Sequence, residues 1–509
     1  MEAALRRIVA ADCGLGTNSG NESMPEPMPE TIASFAIENF GCRAARADGE
    51  AVTADLLARG LMEQPMDQAS VVLVNTCTVT AEADRDARAF LRRIRRRNPQ
   101  ARIVVTGCYA QRAPEELAAL DGVSAVVGNS HKSLVGAVAA RLATERSADA
   151  AQAGVADAAP ALLPAARLLG SASVWADDAF AHTGIESAEA ASLTHWSPQN
   201  EQTRPGLKIQ EGCNNRCSFC VIPFTRGASR SMPAARVLAE VRAFVAAGGR
   251  ELVLSGINLG RWGRDLDEPA ARASGLAGLI ARILNETAIE RLRLSSVEPM
   301  DWTPELIASL AGSGAENRRV APHAHLPLQS GSDAVLRRMH RRYRPWHYAA
   351  KVESLAAACG DALALGADVM VGFPGESDAE FEETVRFLDA LPFTYLHLFP
   401  FSPRPGTPGH ALHAAHPVPA FVVRERMRTL HQLAQAKSAV FRQRMTGRSL
   451  RALMLHTPAE LRARGRTLAL TENFLEYELE ARLDSNLPVL LRPVSAATAT
   501  LVKSQGNPA

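Results

Sequence analysis

The sequence predicts an α/β protein in three parts: an N-terminal parallel-sheet α/β domain, a central (βα)6 partial barrel and a small C-terminal β-barrel. Three observations predict it. Short apolar runs alternate with helical patterns near the N-terminus. Further apolar runs alternate with helical stretches in the centre. The tail holds short strand-like runs without clear helices. At 509 residues the chain is too long for one ordinary core, and about two to four domains are expected.

Apolar residues make up 47% and charged residues 22%, a globular composition. The 56 basic and 54 acidic residues leave a net charge of +2, which neither demands nor excludes a polyanionic partner. The N-terminus lacks the apolar core of a signal peptide, and no stretch approaches the ~20 apolar residues of a membrane span. A cytoplasmic protein is expected. In that reducing setting the eight cysteines read as ligands, catalysts or buried thiols rather than disulfides.

In the N-terminal part, residues 31–140, three apolar runs share a plan. "SFAIENFGC" ends at Cys42, "SVVLVNTC" at Cys77 and "ARIVVTGC" at Cys108. After Cys77, Ala87, Leu91 and Ile94 share one helical face, with Thr80 as N-cap and Pro99 past the end. Strand–helix alternation implies a parallel sheet, and ligands bind outside the carboxyl ends of its strands. The three cysteines, 35 and 31 residues apart, are therefore expected to converge. Residues 1–30 are expected to be poorly ordered, with Met24 and Met28 as alternative starts. Residues 141–204, rich in Ala, Ser and Asp, read as a linker or loosely folded insertion.

The central part, residues 205–440, offers strand candidates at 207–209, 251–254, 291–294, 323–328, 368–371 and 395–399. The residues just after each are unusual: "EGCNNRCSFC", "SGINLG", "SSVEP", "QSGSD", "GFPGE" and "PFSPRPGTP". Function at that carboxyl rim is the rule for β/α barrels. The tail, residues 441–509, fits a small β-barrel.

Cys213, Cys217 and Cys220 are spaced C-x3-C-x2-C on the loop after the first central strand. A zinc site would supply four ligands, and the next cysteine, Cys359, falls inside a predicted helix. Thiolates also hold iron–sulfur clusters. A cubane held by three leaves one iron open, and an open metal position can take a substrate or cofactor. The bland alternative is three incidental cysteines.

With Phe219 before the last cysteine, this motif resembles the signature of the radical S-adenosylmethionine (SAM) superfamily. The resemblance implies a 4Fe-4S cluster on Cys213, Cys217 and Cys220, with SAM chelating the open iron and its reductive cleavage giving a 5′-deoxyadenosyl radical. "LKIQEGCNNRCSFCVIPFTRGASRS", "SSVEP", "HAHLPLQSGSDAVLRRMHRRY" and "DVMVGFPGES" are similar to the methylthiotransferases. That implies a second 4Fe-4S cluster, on Cys42, Cys77 and Cys108, carrying the sulfur to be transferred, and a C-terminal RNA-binding barrel of the TRAM type. "LKIQEGCNN", "NTCTVT" and "LTENFLEYELE" are most similar to the threonylcarbamoyladenosine tRNA methylthiotransferases. The implied reaction puts a methylthio group on C2 of that adenosine beside the anticodon of a tRNA substrate, with a reducing electron donor and a sulfur source as partners. Methylthiolation of isopentenyl-adenosine or of a ribosomal-protein aspartate are alternatives of the same class; an electron carrier or RNA-binding scaffold is the non-enzyme alternative. Where the family reads close to "GCKVN", this chain reads "GCRAA" from Gly41 to Ala45.

Other residues carry paired readings. Phe219 contacts the SAM adenine or packs under the loop. Gln329 and Ser330 contact SAM or substrate, or form a turn. Gly372, in a strand-to-helix turn, lets backbone approach the adenosine or is structural. Glu298 contacts the cofactor or forms a buried salt bridge. His323 and His325, with no carboxylate near in sequence, read as structural. Arg92, Arg93, Arg95, Arg96 and Arg97, and separately Arg337, Arg338, Arg341, Arg342 and Arg344, bind tRNA phosphates or form solvated faces. Phe474 and Tyr477 stack bases or pack in a core. Cys13 reads as incidental and Cys359 as a buried apolar residue.

Overall fold

The computed structural model describes residues 33–144, 172–177, 180, 193, 196–197, 202–312 and 318–502. The readings made for residues 1–30 and Cys13, and for most of 141–204, lie outside the described residues.

The N-terminal sheet has six parallel strands. Ser34–Asn39, Val71–Thr76 and Arg102–Gly107 are neighbours at its centre, with Met62–Glu63 beyond the first and Val123–Gly128 beyond the third. Val71–Thr76 is buried along its whole length, as a parallel strand covered on both faces should be. The helix Ala81–Arg97 covers one face through Ala87, Phe90, Leu91 and Ile94, and the Thr80 hydroxyl caps it by accepting from Ala83 N at 3.1 Å. Part of the expected linker belongs to this sheet instead. Ser173–Trp175 pairs with Val123–Gly128 as the sixth strand, a three-residue run with the strand formers Val174 and Trp175.

The central strands are Gly206–Glu211, Glu251–Gly256, Arg291–Leu294, His323–His325, Ala364–Val371 and Tyr395–Pro400. They lie in two parallel groups, three each, with the short strand Arg230–Ser231 pairing antiparallel on the first. A bridge from Leu292 to Val320 joins the groups. Gly206–Glu211 and Tyr395–Pro400 do not pair with each other, so the barrel stays open.

The C-terminal barrel is closed, in the order Leu450–Met454, Thr467–Thr471, Glu476–Leu479, Thr498–Leu501, Pro488–Pro493. A 26-residue helix, Ala420–Met445, leads into it and crosses the 440/441 division drawn from sequence. Its last turns supply Phe441 and Met445 to the barrel core, beside Tyr477 and Leu491. Arg293 of the central barrel holds the C-terminal one, donating to the Glu472 and Thr471 carbonyls at 3.1 and 3.2 Å. Among the described residues no helix is long and apolar enough to cross a membrane.

Candidate active site

Cys42 of the N-terminal trio and all three cysteines of the central loop line one cavity of about 550 Å³. Its walls include Cys42 from the N-terminal domain, Cys213, Cys217, Cys220 and Phe219 from the central loop, and Phe474 from the C-terminal barrel. All three parts of the chain therefore contribute to one site.

In the N-terminal domain, Cys77 and Cys108 directly follow adjacent parallel strands, and Cys42 follows the third by three residues. Gly41 has φ +109°, and a Cβ there would meet Cys77 Cβ at 2.7 Å. Gly107 has φ +94°, and a Cβ there would meet the Thr76 carbonyl at 2.4 Å. Only glycine permits these two approaches. Burial, with Cys108 and Cys42 adding to it, pushes the Cys77 thiol up to about 12. In the central loop, burial with Cys217 and Cys213 pushes Cys220 up to about 12 as well.

Each trio receives one buried arginine. Arg226, on the short helix Ile222–Arg226, donates from Nε to Cys108 Sγ at 3.2 Å. Its Nη1 pairs with Asp48 at 2.9 Å and Glu211 at 2.5 Å, while its Nη2 is buried without a partner. Lys208 and Lys132 complete the network by pairing with Asp48 and Glu211. Burial works against charge on Glu211, yet Lys132, Lys208 and Arg226 hold it well below the usual carboxylate range. Three cations face two carboxylates, leaving one positive charge that an anionic sulfur group beside Arg226 would balance. At the other trio, Arg341 Nη1 donates to Cys217 Sγ at 3.1 Å and Nη2 to Glu298 at 2.5 Å.

These donor sets fit iron–sulfur groups. Three thiols gathered at one rim ionise only against a strong cationic partner, which a metal cluster supplies. Arginines aimed at sulfur supply the outer hydrogen bonds that orient and tune such ligands.

Several sequence expectations change. Ser330 does not line the cavity; its Oγ lies 3.1 Å from Thr384 Oγ1 and accepts from Ser332 N. Gly372 also lies outside it, where a Cβ would strike Val423 at 2.6 Å, and its N donates to Glu376. Gln329 lines the cavity with φ +68° and a buried Oε1 without a partner. Glu298 lines it while paired to Arg341. That pairing removes Arg341 from the set of candidate phosphate-binding arginines, as do its burial and its contact with Cys217. Arg337, Arg338 and Arg344 pair with Asp333, Glu380 and Asp333. Tyr477 is a core residue, 1% exposed. His323 and His325 are not isolated from carboxylates: Asp368 lies 3.1 Å from His325 Nε2, and His397 is on its other oxygen at 3.3 Å. The strand pairing that brings Asp368 there is not visible in a linear sequence.

Sequence reasoning missed Arg226, Lys208 and Glu211. Their signal was present, because Lys208 and Glu211 are charges in a strand that must be buried in a barrel, and such charges need partners.

A three-cysteine loop after the first strand of an open six-stranded β/α barrel, facing a cavity at the carboxyl rim, defines a radical SAM enzyme. Residues 207–388 match the Radical SAM superfamily, and residues 34–128 match a family described as uncharacterized protein family UPF0004. A threonylcarbamoyladenosine tRNA methylthiotransferase of Aquifex aeolicus is 32% identical over 87% of this chain and 96% of its own. A tRNA-2-methylthio-N(6)-dimethylallyladenosine synthase of Erythrobacter litoralis is 33% identical over 85% and 88%. Among solved structures, a radical S-adenosylmethionine methyltransferase of Kitasatospora setae superposes with a TM-score of 0.48 and 16% identity, covering 75% of this chain and 77% of its own. The chain belongs to the radical SAM methylthiotransferase family, and membership implies a 4Fe-4S cluster and SAM.

Proposed function

We propose that this enzyme methylthiolates C2 of N6-threonylcarbamoyladenosine next to the anticodon of tRNA, by a two-cluster radical SAM mechanism. The observation that carries this reading is the single cavity shared by Cys42 and the Cys213, Cys217, Cys220 loop. Cys213, Cys217 and Cys220 would hold one 4Fe-4S cluster, and Cys42, Cys77 and Cys108 the other. Bound there, the clusters supply what protein acids and bases lack near neutral pH, namely radical generation from SAM and a carrier for sulfur.

The chain's own residues then bind, orient and exclude water. Phe219 and Gln329 line the cavity and would contact SAM, the unpartnered Gln329 Oε1 accepting from its amino group. Arg341 donates to Cys217 Sγ and pairs with Glu298 beside it. Phe474 closes the cavity from the C-terminal barrel, where an RNA strand would approach.

The relative from Erythrobacter litoralis favours a second reading, with a dimethylallyl-adenosine as the base. Digested tRNA from wild-type and deletion strains, examined by mass spectrometry, separates the two. Loss of the methylthio-threonylcarbamoyl nucleoside supports the proposal. Loss of the methylthio-isopentenyl nucleoside, or an unchanged profile, overturns it.

A further inference from the structure

Four charged side chains outside the histidines line the cavity: Arg43, Glu298, Arg341 and Asp368. Glu298 and Arg341 pair with each other, and Asp368 faces His325 and His397. Arg43, the first residue of the helix Arg43–Ala58, has no hydrogen-bond or ion-pair partner among the described residues. Its surroundings are already rich in positive charge, for Arg204, Arg291 and Arg293 share the single carboxylate of Glu251 at 3.4, 3.0 and 2.9 Å. The wall thus presents an exposed guanidinium, unpaired by the protein, to whatever enters.

Beside it the Tyr395 hydroxyl bridges two histidines by hydrogen bonds, with Asp368 close to the second. Asp368 faces His325 Nε2 at 3.1 Å, His325 Nδ1 lies 3.0 Å from the Tyr395 hydroxyl, and that hydroxyl lies 2.7 Å from His323 Nε2. The carboxylate favours the proton on His325 Nε2, so Nδ1 accepts from Tyr395 and Tyr395 accepts from His323 Nε2–H. That leaves His323 Nδ1 as an acceptor, and it is buried without a partner in the cavity wall. Burial, with Arg293 and His325, keeps this ring neutral, its pKa far below the ordinary 6.5. Phe474 packs against His323 and Tyr395, with ring centroids 4.6 and 5.5 Å away and planes tilted by 38° and 42°, and makes the wall aromatic.

We propose that Arg43 and His323 form the subsite for the N6 side chain of the substrate base: Arg43 takes the threonyl carboxylate, His323 Nδ1 accepts from the threonyl hydroxyl, and the planar urea packs against Phe474. This rests on the threonylcarbamoyl reading above and names the residues that select for it. An isopentenyl group, neutral and apolar, offers the guanidinium no partner and gains nothing from this subsite. A carboxylate forms a charge-assisted pair there.

The test uses the full-length reconstituted protein and three anticodon stem-loops, carrying threonylcarbamoyladenosine, its methyl ester or isopentenyl-adenosine. Wild type is expected to bind the free acid about 10- to 100-fold more tightly than the ester, the range of one charged hydrogen bond. Arg43→Gln should erase that preference and Arg43→Lys should keep part of it. His323→Phe should weaken acid and ester equally, since both carry the hydroxyl. Equal binding of acid and ester by wild type overturns the proposal even if Arg43→Gln fails to fold, and so does a preference that survives Arg43→Gln. Turnover of the three stem-loops separates the two levels. Methylthiolation of isopentenyl-adenosine alone refutes the threonylcarbamoyl reading. Methylthiolation of the threonylcarbamoyl substrate with no acid-over-ester preference refutes only the subsite.

Discussion

Arg226 Nε lies 3.2 Å from the Cys108 sulfur, across 118 residues of sequence and between two different sheets. The arginine follows Cys220 by six positions, so the short helix after one cysteine trio reaches into the other. Hydrogen bonds to ligand sulfur raise a cluster's reduction potential, and outer partners of this kind are worth about 10- to 100-fold in metal affinity or activity. Arg226→Gln should therefore lower the midpoint potential of the N-terminal cluster. Potentiometry followed by EPR in a Cys213→Ala, Cys217→Ala, Cys220→Ala background reads that cluster alone. Arg226→Lys keeps the charge and should fall in between. A potential unchanged in both variants would show that Arg226 is only a structural tie.

Two cubanes also set a stoichiometry. Reconstituted wild type should hold about eight irons per chain, and alanine at all three positions of either trio should leave about four. Cys77→Ala should abolish methylthiolation while SAM cleavage under strong reductant persists, because the two trios lie on separate elements. Full product formation by Cys77→Ala would sink the assignment of that trio.

The N-terminal cysteines were legible in the sequence because each ends an apolar run, and parallel strands all end at the same rim. Thr80 and the buried face of Ala81–Arg97 were legible for the same local reason. What escaped was set by pairing between distant strands. Asp368 reaches His325 because Gly366 of its strand pairs opposite that histidine. Arg341 sits within a run of arginines that looks uniformly solvated, but the chain turns it inward onto Cys217. Ser173–Trp175 is too short a signal to separate from its Ala-rich neighbours.

Tyr477 tests how the C-terminal barrel works. Its ring is buried between Leu491, Leu479 and the end of the helix Ala420–Met445. Tyr477→Ala should destabilise the barrel by roughly 3–5 kcal/mol, as removal of large buried aromatic groups does. Tyr477→Phe should leave both melting temperature and tRNA affinity close to wild type. A base-stacking role predicts the opposite pattern for alanine, a loss of tRNA affinity with unchanged melting.

Glu251 gives a prediction with a definite pH window. Burial alone would raise its pKa, but Arg293, Arg204 and Arg291 outweigh it and bring the carboxyl from the ordinary 4.5 to about 2. A carboxylate depressed on folding contributes stability that is complete above its unfolded pKa. That contribution is lost as pH falls through the folded value. The contribution of Glu251 should thus be full at pH 7 and disappear between about 4.5 and 2. Glu251→Gln leaves three arginines without their shared anion, at a cost of roughly 3–5 kcal/mol at neutral pH. Arg293, which also holds the C-terminal barrel through Thr471 and Glu472, then loses its anchor. Chemical denaturation of both proteins at stepped pH reads the difference directly. The gap between wild type and Glu251→Gln should be constant down to about pH 4.5 and close below it. A gap that stays constant to pH 2 would mean that the ionised carboxylate is not what holds the three arginines together.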